Sequence, residues 1–176
     1  MSASTTPTAT SVSTTGVTSI GGTLSYAIPT TPGAVPTTAG SFVELARIAE
    51  LPELNEEASQ VDLTAIKDSS KRYGLGRTDN GGSYSVTVLV SNDTIAQWEA
   101  VQTDQDDGNG GERDLCFQIT LPDMTKSWFI FGRVPQKLSI PNITNGDDAV
   151  QINVPIIVSK NHGLDTKVEP TSTDNS

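Results

Sequence analysis

The chain has 176 residues, with 21 Asp and Glu against 11 Lys and Arg, one Cys and one His. That length suits one domain with a core plus tails. The acidic balance argues against tight nucleic-acid binding, which needs basic surface to neutralise phosphates. Cys116 alone excludes an internal disulfide and a cysteine metal cluster, and a single His removes most metal sites and most histidine-dependent catalysis. Aromatics are sparse, whereas Thr, Ser, Val and Ile are plentiful, as β structure requires. No apolar run is long enough to span a membrane, and the N-terminus lacks the charged and apolar regions of a signal peptide. The expectation is a soluble, mostly β protein made inside the cell.

Residues 1–20 are a Ser/Thr tract, 12 of the 20, and the first charged residue is Glu44. Such an arm cannot bury enough apolar surface by itself to offset the entropy of ordering it. Gly22 to Ala27 is a candidate strand. Ile28 to Gly40 carries Pro29, Pro32 and Pro36 and reads as an extended loop. Ser41 with Glu44 forms a possible capping box, which favours a helix over Ser41 to Leu51, with Phe42, Leu45 and Ala49 on one face. Leu51 to Gln60 reads as an acidic loop holding Glu53, Glu56 and Glu57.

Two strand-like runs follow. Val61, Leu63 and Ala65 alternate with polar residues up to Ile66, and Tyr84, Val86, Val88 and Val90 alternate with Ser83, Ser85 and Thr87. A plain hairpin would join such strands with about two to five residues. Here Lys67 to Gly82 intervene, with Lys71, Arg72 and Arg77 among them. A connection of that length in a small domain usually has a task.

Asn92 or Asp93 caps the clearest helix, with Ile95, Trp98 and Val101 as its apolar stripe and an end near Thr103. Thr103 to Arg113 is an acidic, glycine-rich loop. Leu115 to Leu121 and Ser127 to Arg133 read as strands, and Lys137 to Ile140 as a continuation of the second beyond Pro135. After Asn145-Gly146, Val150, Ile152, Val154, Ile156 and Val158 alternate without a break against Gln151, Asn153, Pro155 and Ser159. Pro155 there points to an edge position or a bulge, and Asn161 to Ser176 reads as a polar tail. No internal repeat is present. The sum is a mainly β domain, an antiparallel sandwich or barrel with a helix packed on it.

The chemical candidates are weak. His162 falls in the tail, too loosely held for a catalytic triad. Cys116 lies opposite Leu115 and Phe117 on its strand and reads as a packing residue. Asp104, Asp106, Asp107 and Glu112 outline a calcium loop, but starting from Asp104 positions five and six are Gly108 and Asn109 rather than a ligand followed by glycine. A solvated acidic loop therefore outweighs a calcium site. Gly74-Leu75-Gly76 and Gly110-Gly111 lack the Lys-Ser/Thr of a phosphate loop. The glycosylation sequons at Asn92 and Asn142 are chance matches without a signal peptide. No feature selects two carboxylates for glycosidase work. Lys67, Lys71, Arg72 and Arg77 make up four of the 11 cations. They read either as a nucleic-acid patch, which the acidic chain and the lack of interleaved aromatics disfavour, or as an intersubunit loop. In the second case their partner would be the acidic run Glu53 to Glu57 of a neighbouring copy.

The segment 42–82, FVELARIAELPELNEEASQVDLTAIKDSSKRYGLGRTDNGG, resembles the major tail tube proteins of long-tailed bacteriophages. The carrying pieces are Phe42 to Leu45, Leu51 to Leu54, Asp62 to Thr64 and Lys71-Arg72-Tyr73-Gly74. Leu121-Pro122-Asp123, the aromatic run Trp128 to Gly132 and the last alternating strand fit the same order. The resemblance spans roughly residues 21–160; the Ser/Thr arm departs from it. It implies a β-sandwich-like fold with one helix and makes Phe42 to Ala49 a strand, against the helix the capping box favours. It further implies stacked hexameric rings, in which strands of several copies close one inner barrel and long loops join ring to ring.

The implied function is a structural conduit for genome delivery, located in the virion after assembly in the host cytoplasm, with no catalysis and no cofactor. Its partners would be further copies of itself, a tape measure protein, a tail terminator and distal tail or baseplate proteins. Double-stranded DNA would pass without specific binding, and no membrane is involved. On this view Lys67, Lys71, Arg72, Tyr73 and Arg77 meet Glu53, Glu56 and Glu57 between subunits. Ser83, Ser85, Thr87, Gln151 and Asn153 are candidates for the lumen face, where an uncharged or negative wall would not hold phosphate. A tail terminator or connector ring and a β-sandwich decoration or adhesion module are the alternatives.

Overall fold

A computed structural model describes residues 21–171, apart from 55–56, 65–69, 72, 80–81, 142, 144–145 and 147–148. Among the described residues the chain forms nine strands and one helix. The strands are β1 (Thr23–Ala27), β2 (Val43–Leu45), β3 (Ile48–Glu50), β4 (Glu57–Asp62), β5 (Tyr73–Asp79), β6 (Ser83–Leu89), β7 (Leu115–Thr120), β8 (Lys126–Arg133) and β9 (Gln151–Thr166). The helix, α1, spans Asn92–Asp104 and lies between β6 and β7. Seven strands form one antiparallel sheet in the order β2-β1-β7-β8-β9-β6-β3, and β4 and β5 form a separate two-stranded ribbon.

The seven-stranded sheet is nearly closed into a barrel. Its two edge strands, β2 and β3, are separated in sequence only by Ala46 and Arg47, so the chain steps directly from one edge to the other. Arg47 takes a positive φ of 56° at this corner, and its carbonyl accepts from the Leu89 amide at 3.0 Å. The helix favoured over Ser41 to Leu51 is therefore overturned. The strand implied for Phe42 to Ala49 exists, but broken at the corner into two short pieces that serve opposite edges.

β9 holds the sheet together. Its first half pairs with β6, from Leu89↔Gln151 to Ser83↔Ile157, and its second half with β8, from Arg133↔Ile157 to Lys126↔Thr166. The two ladders overlap only around Ile157 and Val158. Two irregularities bend β9 against β8, one between Phe131 and Gly132 and one between Phe129 and Ile130. At the second, Ile130 faces Asn161 and Phe129 faces Gly163, so His162 is the extra residue, followed by Gly163 at φ 82°. This is the arrangement of a bulge, which increases twist. The start of the predicted tail, from Asn161 to Thr166, is thus the end of a 16-residue strand. Pro155 lies beyond the last β8 pair. The Val158 amide donates to Gly82 on the β6 side, so by period two the Pro155 nitrogen points the other way, where β8 has ended. The proline sits at a local edge, as its type requires.

Side chains pointing into the barrel form the main core, including Leu24, Tyr26, Val86, Leu115, Phe117, Ile130, Val154 and Ile156. Trp98 and Val101 bring α1 onto it. Ser91, not Asn92 or Asp93, caps the helix, in a reciprocal pair with Thr94. Three glutamines stitch α1 to the barrel. The Ala46 amide donates to Gln97 Oε1 at 2.9 Å, and Gln102 Nε2 donates to the Pro135 carbonyl at 2.7 Å. Buried Gln105 satisfies both backbone groups of Val134, donating to its carbonyl at 3.1 Å and accepting from its amide at 2.7 Å. The last two glutamines tie Val134 and Pro135 to the helix just past the end of β8, and Lys137 to Ile140 does not continue that strand.

A second cluster lies on the outer face of β7 and β8, with Phe42, Cys116, Phe129, Phe131 and Val168. The extended loop before β2 and the segment after β9 cover it. Gln118 holds that segment by donating to the Val168 carbonyl at 2.8 Å and accepting from its amide. The Thr171 amide donates to the Phe42 carbonyl at 2.7 Å.

Gly132 is where the two halves of the sheet meet. A Cβ there would stand 2.4 Å from the Ile157 carbonyl oxygen and 3.0 Å from an Ile156 methyl. Gly132→Ala should therefore destabilise the fold by about 1–3 kcal/mol, the usual range for overpacking. A chemical-denaturation midpoint unchanged from the wild type would contradict this role.

Candidate functional site

With no catalytic cluster predicted, the candidate sites are surfaces. Among the described residues no group of three His, Cys, Asp or Glu side chains converges as a metal site. The 104–113 loop is instead occupied with itself. The Asp107 carboxylate accepts from the amides of Asn109 at 2.7 Å and Gly111 at 3.0 Å, which hold its pKa below the ordinary range, and Asp106 accepts from Gly108. Asp104 accepts from the Tyr26 hydroxyl at 2.9 Å. Glu112 and Asp114 flank Arg133 at 3.6 and 2.6 Å.

His162 belongs to β9 rather than to a tail. Its ring meets Phe129 and Phe131 edge-on, with centroids 6.3 Å away in each case, and its Nε2 lies 3.1 Å from Asp165 Oδ2. It covers the outer aromatic cluster. No nucleophile stands beside it among its described contacts. Cys116 is fully buried in that cluster.

The ribbon is the first candidate surface. β4 and β5 pair from Glu57↔Asp79 at the base to Asp62↔Tyr73 at the tip. The strand predicted from Val61 to Ile66 therefore begins and ends earlier, and the predicted connection Lys67 to Gly82 contains β5. Glu57 and Arg77 lie on the two strands of one ribbon, and nothing is described of their side chains. Lys67, Arg72 and Glu56 lie outside the described residues. Lys71 and Tyr73 are exposed at the tip and Glu53 near the base. The tip also exposes apolar side chains: Val61 is 44 %, Tyr73 57 % and Leu63 62 % exposed. Asp62 accepts from the Thr64 amide and caps the turn that leaves β4.

The second candidate is the outer face shared by β6 and β9. The register sets Ser83 against Ile157, Ser85 against Pro155, Thr87 against Asn153 and Leu89 against Gln151. The alternate residues Tyr84, Val86, Val88, Ile152, Val154 and Ile156 are buried in the core. All five predicted lumen residues thus lie on one face. Thr87 Oγ1 donates to Asn153 Oδ1 at 3.0 Å. None of the eight residues on this face is charged, and Glu50 of β3, opposite Thr87, borders it. Only Val88 and Thr87 of β6 pair with β3, so the Ser83–Val86 half of β6 is laddered on the β9 side alone among the described residues.

The third surface was not anticipated from sequence. The end of the barrel away from α1 is an open cavity of about 780 Å³, walled by Leu51, Leu54, Tyr84, Ile119, Leu121 and Trp128, with Glu50 and Glu53 among its lining. Its only sequence signal was a cluster of apolar residues at strand ends and in a presumed loop.

No helix among the described residues is long and apolar enough to cross a membrane. No protein-family model matches the chain, and no curated protein matches it in sequence.

Burial sets the alkaline limit of the fold. It pushes the Cys116 thiol from near 9.0 up to about 12 and the Tyr84 phenol from near 10.0 up to about 12. Burial, aided by Asp104, also raises Tyr26. The native state keeps these protons while the unfolded chain releases them, so stability falls as pH rises through the window from about 9 to about 12. The melting temperature should hold below that window and drop within it, and Tyr84→Phe should flatten the drop. In the native state Cys116 should resist thiol reagents until the chain unfolds. A melting temperature constant across the window would contradict the assignment.

Proposed function

We propose that this protein is a structural subunit of a phage tail tube, forming rings that stack into a conduit for DNA. The observation that carries the reading is the β6–β9 face. In a chain with a formal net charge of −10, two adjacent strands present eight outward residues without a charge. A wall that DNA passes must not bind phosphate, so it must be free of the Lys and Arg that dominate nucleic-acid affinity. Hydroxyl and amide side chains keep such a wall wet without fixing a ligand.

Two further features support it. The Ser83–Val86 half of β6 leaves one ladder edge open. Unpaired strand edges are templates for pairing with another chain, and closing several such edges into one barrel removes them all. The resemblance in residues 42–82 points the same way, and so does the mainly β barrel with a single helix packed on its core.

Negative-stain electron microscopy of the purified full chain, alone and with a tail lysate as seed, tests the proposal. The expected result is hollow tubes with a regular axial ring repeat. Single rings that never stack would favour a terminator or connector. A protein that stays monomeric under every condition, seeded or not, would overturn the tube.

A further inference from the structure

The cavity at the open end of the barrel combines an apolar wall with charge of one sign. Leu51, Leu54, Ile119, Leu121 and Trp128 supply the wall. Glu50 and Glu53 are the charged residues of the lining, and no Lys, Arg or His joins them there. Both glutamates are exposed, and neither carboxylate is hydrogen-bonded or ion-paired to a described residue. Leu164, 50 % exposed, stands opposite Trp128 in the β8–β9 register and carries the apolar surface past the rim.

Tyr84 is a second, independent sign of a ligand. It is 3 % exposed and packs in the main core, yet it also lines the cavity. Its hydroxyl makes no hydrogen bond to a described residue. A buried hydroxyl ordinarily has a partner, and here the content of the cavity must supply it. Asn161, the other neutral amide or hydroxyl in the lining, already accepts from the Gly163 amide at 2.9 Å. From these we infer that the cavity is a binding site for a small amphiphilic amine, its apolar body against the leucines and Trp128 and its ammonium head on Glu50, Glu53 and the Tyr84 hydroxyl.

Each part of that ligand answers a feature of the site. An ammonium carries three donors and no acceptor, and the two carboxylates and the phenol oxygen are acceptors. Two carboxylates without a base repel an anionic head and attract a cationic one. A Trp in the wall adds to this, because its ring face attracts cations. The volume of about 780 Å³ falls within the roughly 300–1,000 Å³ of small-molecule sites, which pair an apolar lining with a few converging polar groups. The inference goes beyond the tube reading and does not depend on it, since no outward residue of the β6–β9 face lines the cavity.

Calorimetric titration of the full chain with n-octylamine tests it, with octan-1-ol, octanoate and octyltrimethylammonium as probes of equal chain length. At neutral pH the amine is protonated, as lysine is. One amine should bind per chain, about tenfold or more tighter than the alcohol. Octanoate should bind more weakly than the alcohol, and the trimethylated head, which keeps the charge but has no donor, more weakly than the amine. Glu50→Gln with Glu53→Gln should reduce the amine to the affinity of the alcohol while the chain melts like the wild type, because both side chains are exposed. Tyr84→Phe keeps the ring and should weaken the amine about fivefold. Binding should change the tryptophan fluorescence of the wild type but not of Trp128→Phe, which retains only Trp98 in the core. The site is wrong if the amine binds no tighter than the alcohol, if the double glutamine variant binds it like the wild type, or if Trp128 does not report it. An affinity that falls as the protein concentration rises would place a second copy in the mouth and also overturn it.

Discussion

The structure depends on one strand being longer than the sheet it belongs to. β9 gives its first half to β6 and its second half to β8, and the two ladders share only the turn of backbone around Ile157. Everything on the β6 side, including the corner that returns the chain from β3 to β2, is tied to the β1–β7–β8 side through that overlap. Close approach of the two backbones there requires Gly132, because any Cβ would enter the Ile157 carbonyl. The bulges that skip Ser159 and His162 supply the curvature. Without them a 16-residue strand would be straight and the edges would lie far apart.

A nearly closed barrel has two ends and must cover them. α1 closes one, through Trp98 and Val101 in the core and through glutamines that bind backbone groups left unpaired where β8 stops and where β2 turns into β3. Gln118 does the same for the segment after β9. Buried Gln105 and Gln118 each meet both the donor and the acceptor of one backbone residue, so neither the amide nor that residue is left unpaired. At the other end Leu51 and Leu54 pack partly buried against the core beside an open cavity. Its wall mixes Leu51, Leu54 and Trp128 with Glu50 and Glu53.

The candidate surfaces were legible to different degrees. The β6–β9 face was fully readable, because period-two alternation in Ser83–Val90 and Val150–Val158 assigns every outward residue once the two strands pair. The ribbon was half readable. Its basic and aromatic residues stood out, but Tyr73 to Asp79, with two glycines and little alternation, carries no strand signal, and only the pairing with β4 makes it one. The mouth was not readable at all. Leu54 and Trp128 are 74 positions apart in the sequence, and nothing local states that they line one opening. His162 was misread for a related reason: Asn-His-Gly-Leu-Asp has the composition of a tail, and only the β8 ladder holds it extended.

By itself the sequence determined the mainly β fold class, the main helix, the core-facing residues of β6, β7 and β9, the packing role of Cys116, and the absence of charge from one face. These follow from periodicity, composition and residue chemistry, which are local and survive without neighbours. Only the tertiary structure decided that 43–50 is two edge strands rather than a helix, that β9 runs on to Thr166, and that β4 and β5 pair as a ribbon separate from the seven-stranded sheet. In each of these, long-range ladder hydrogen bonds outweighed a local preference worth no more than about 1 kcal/mol.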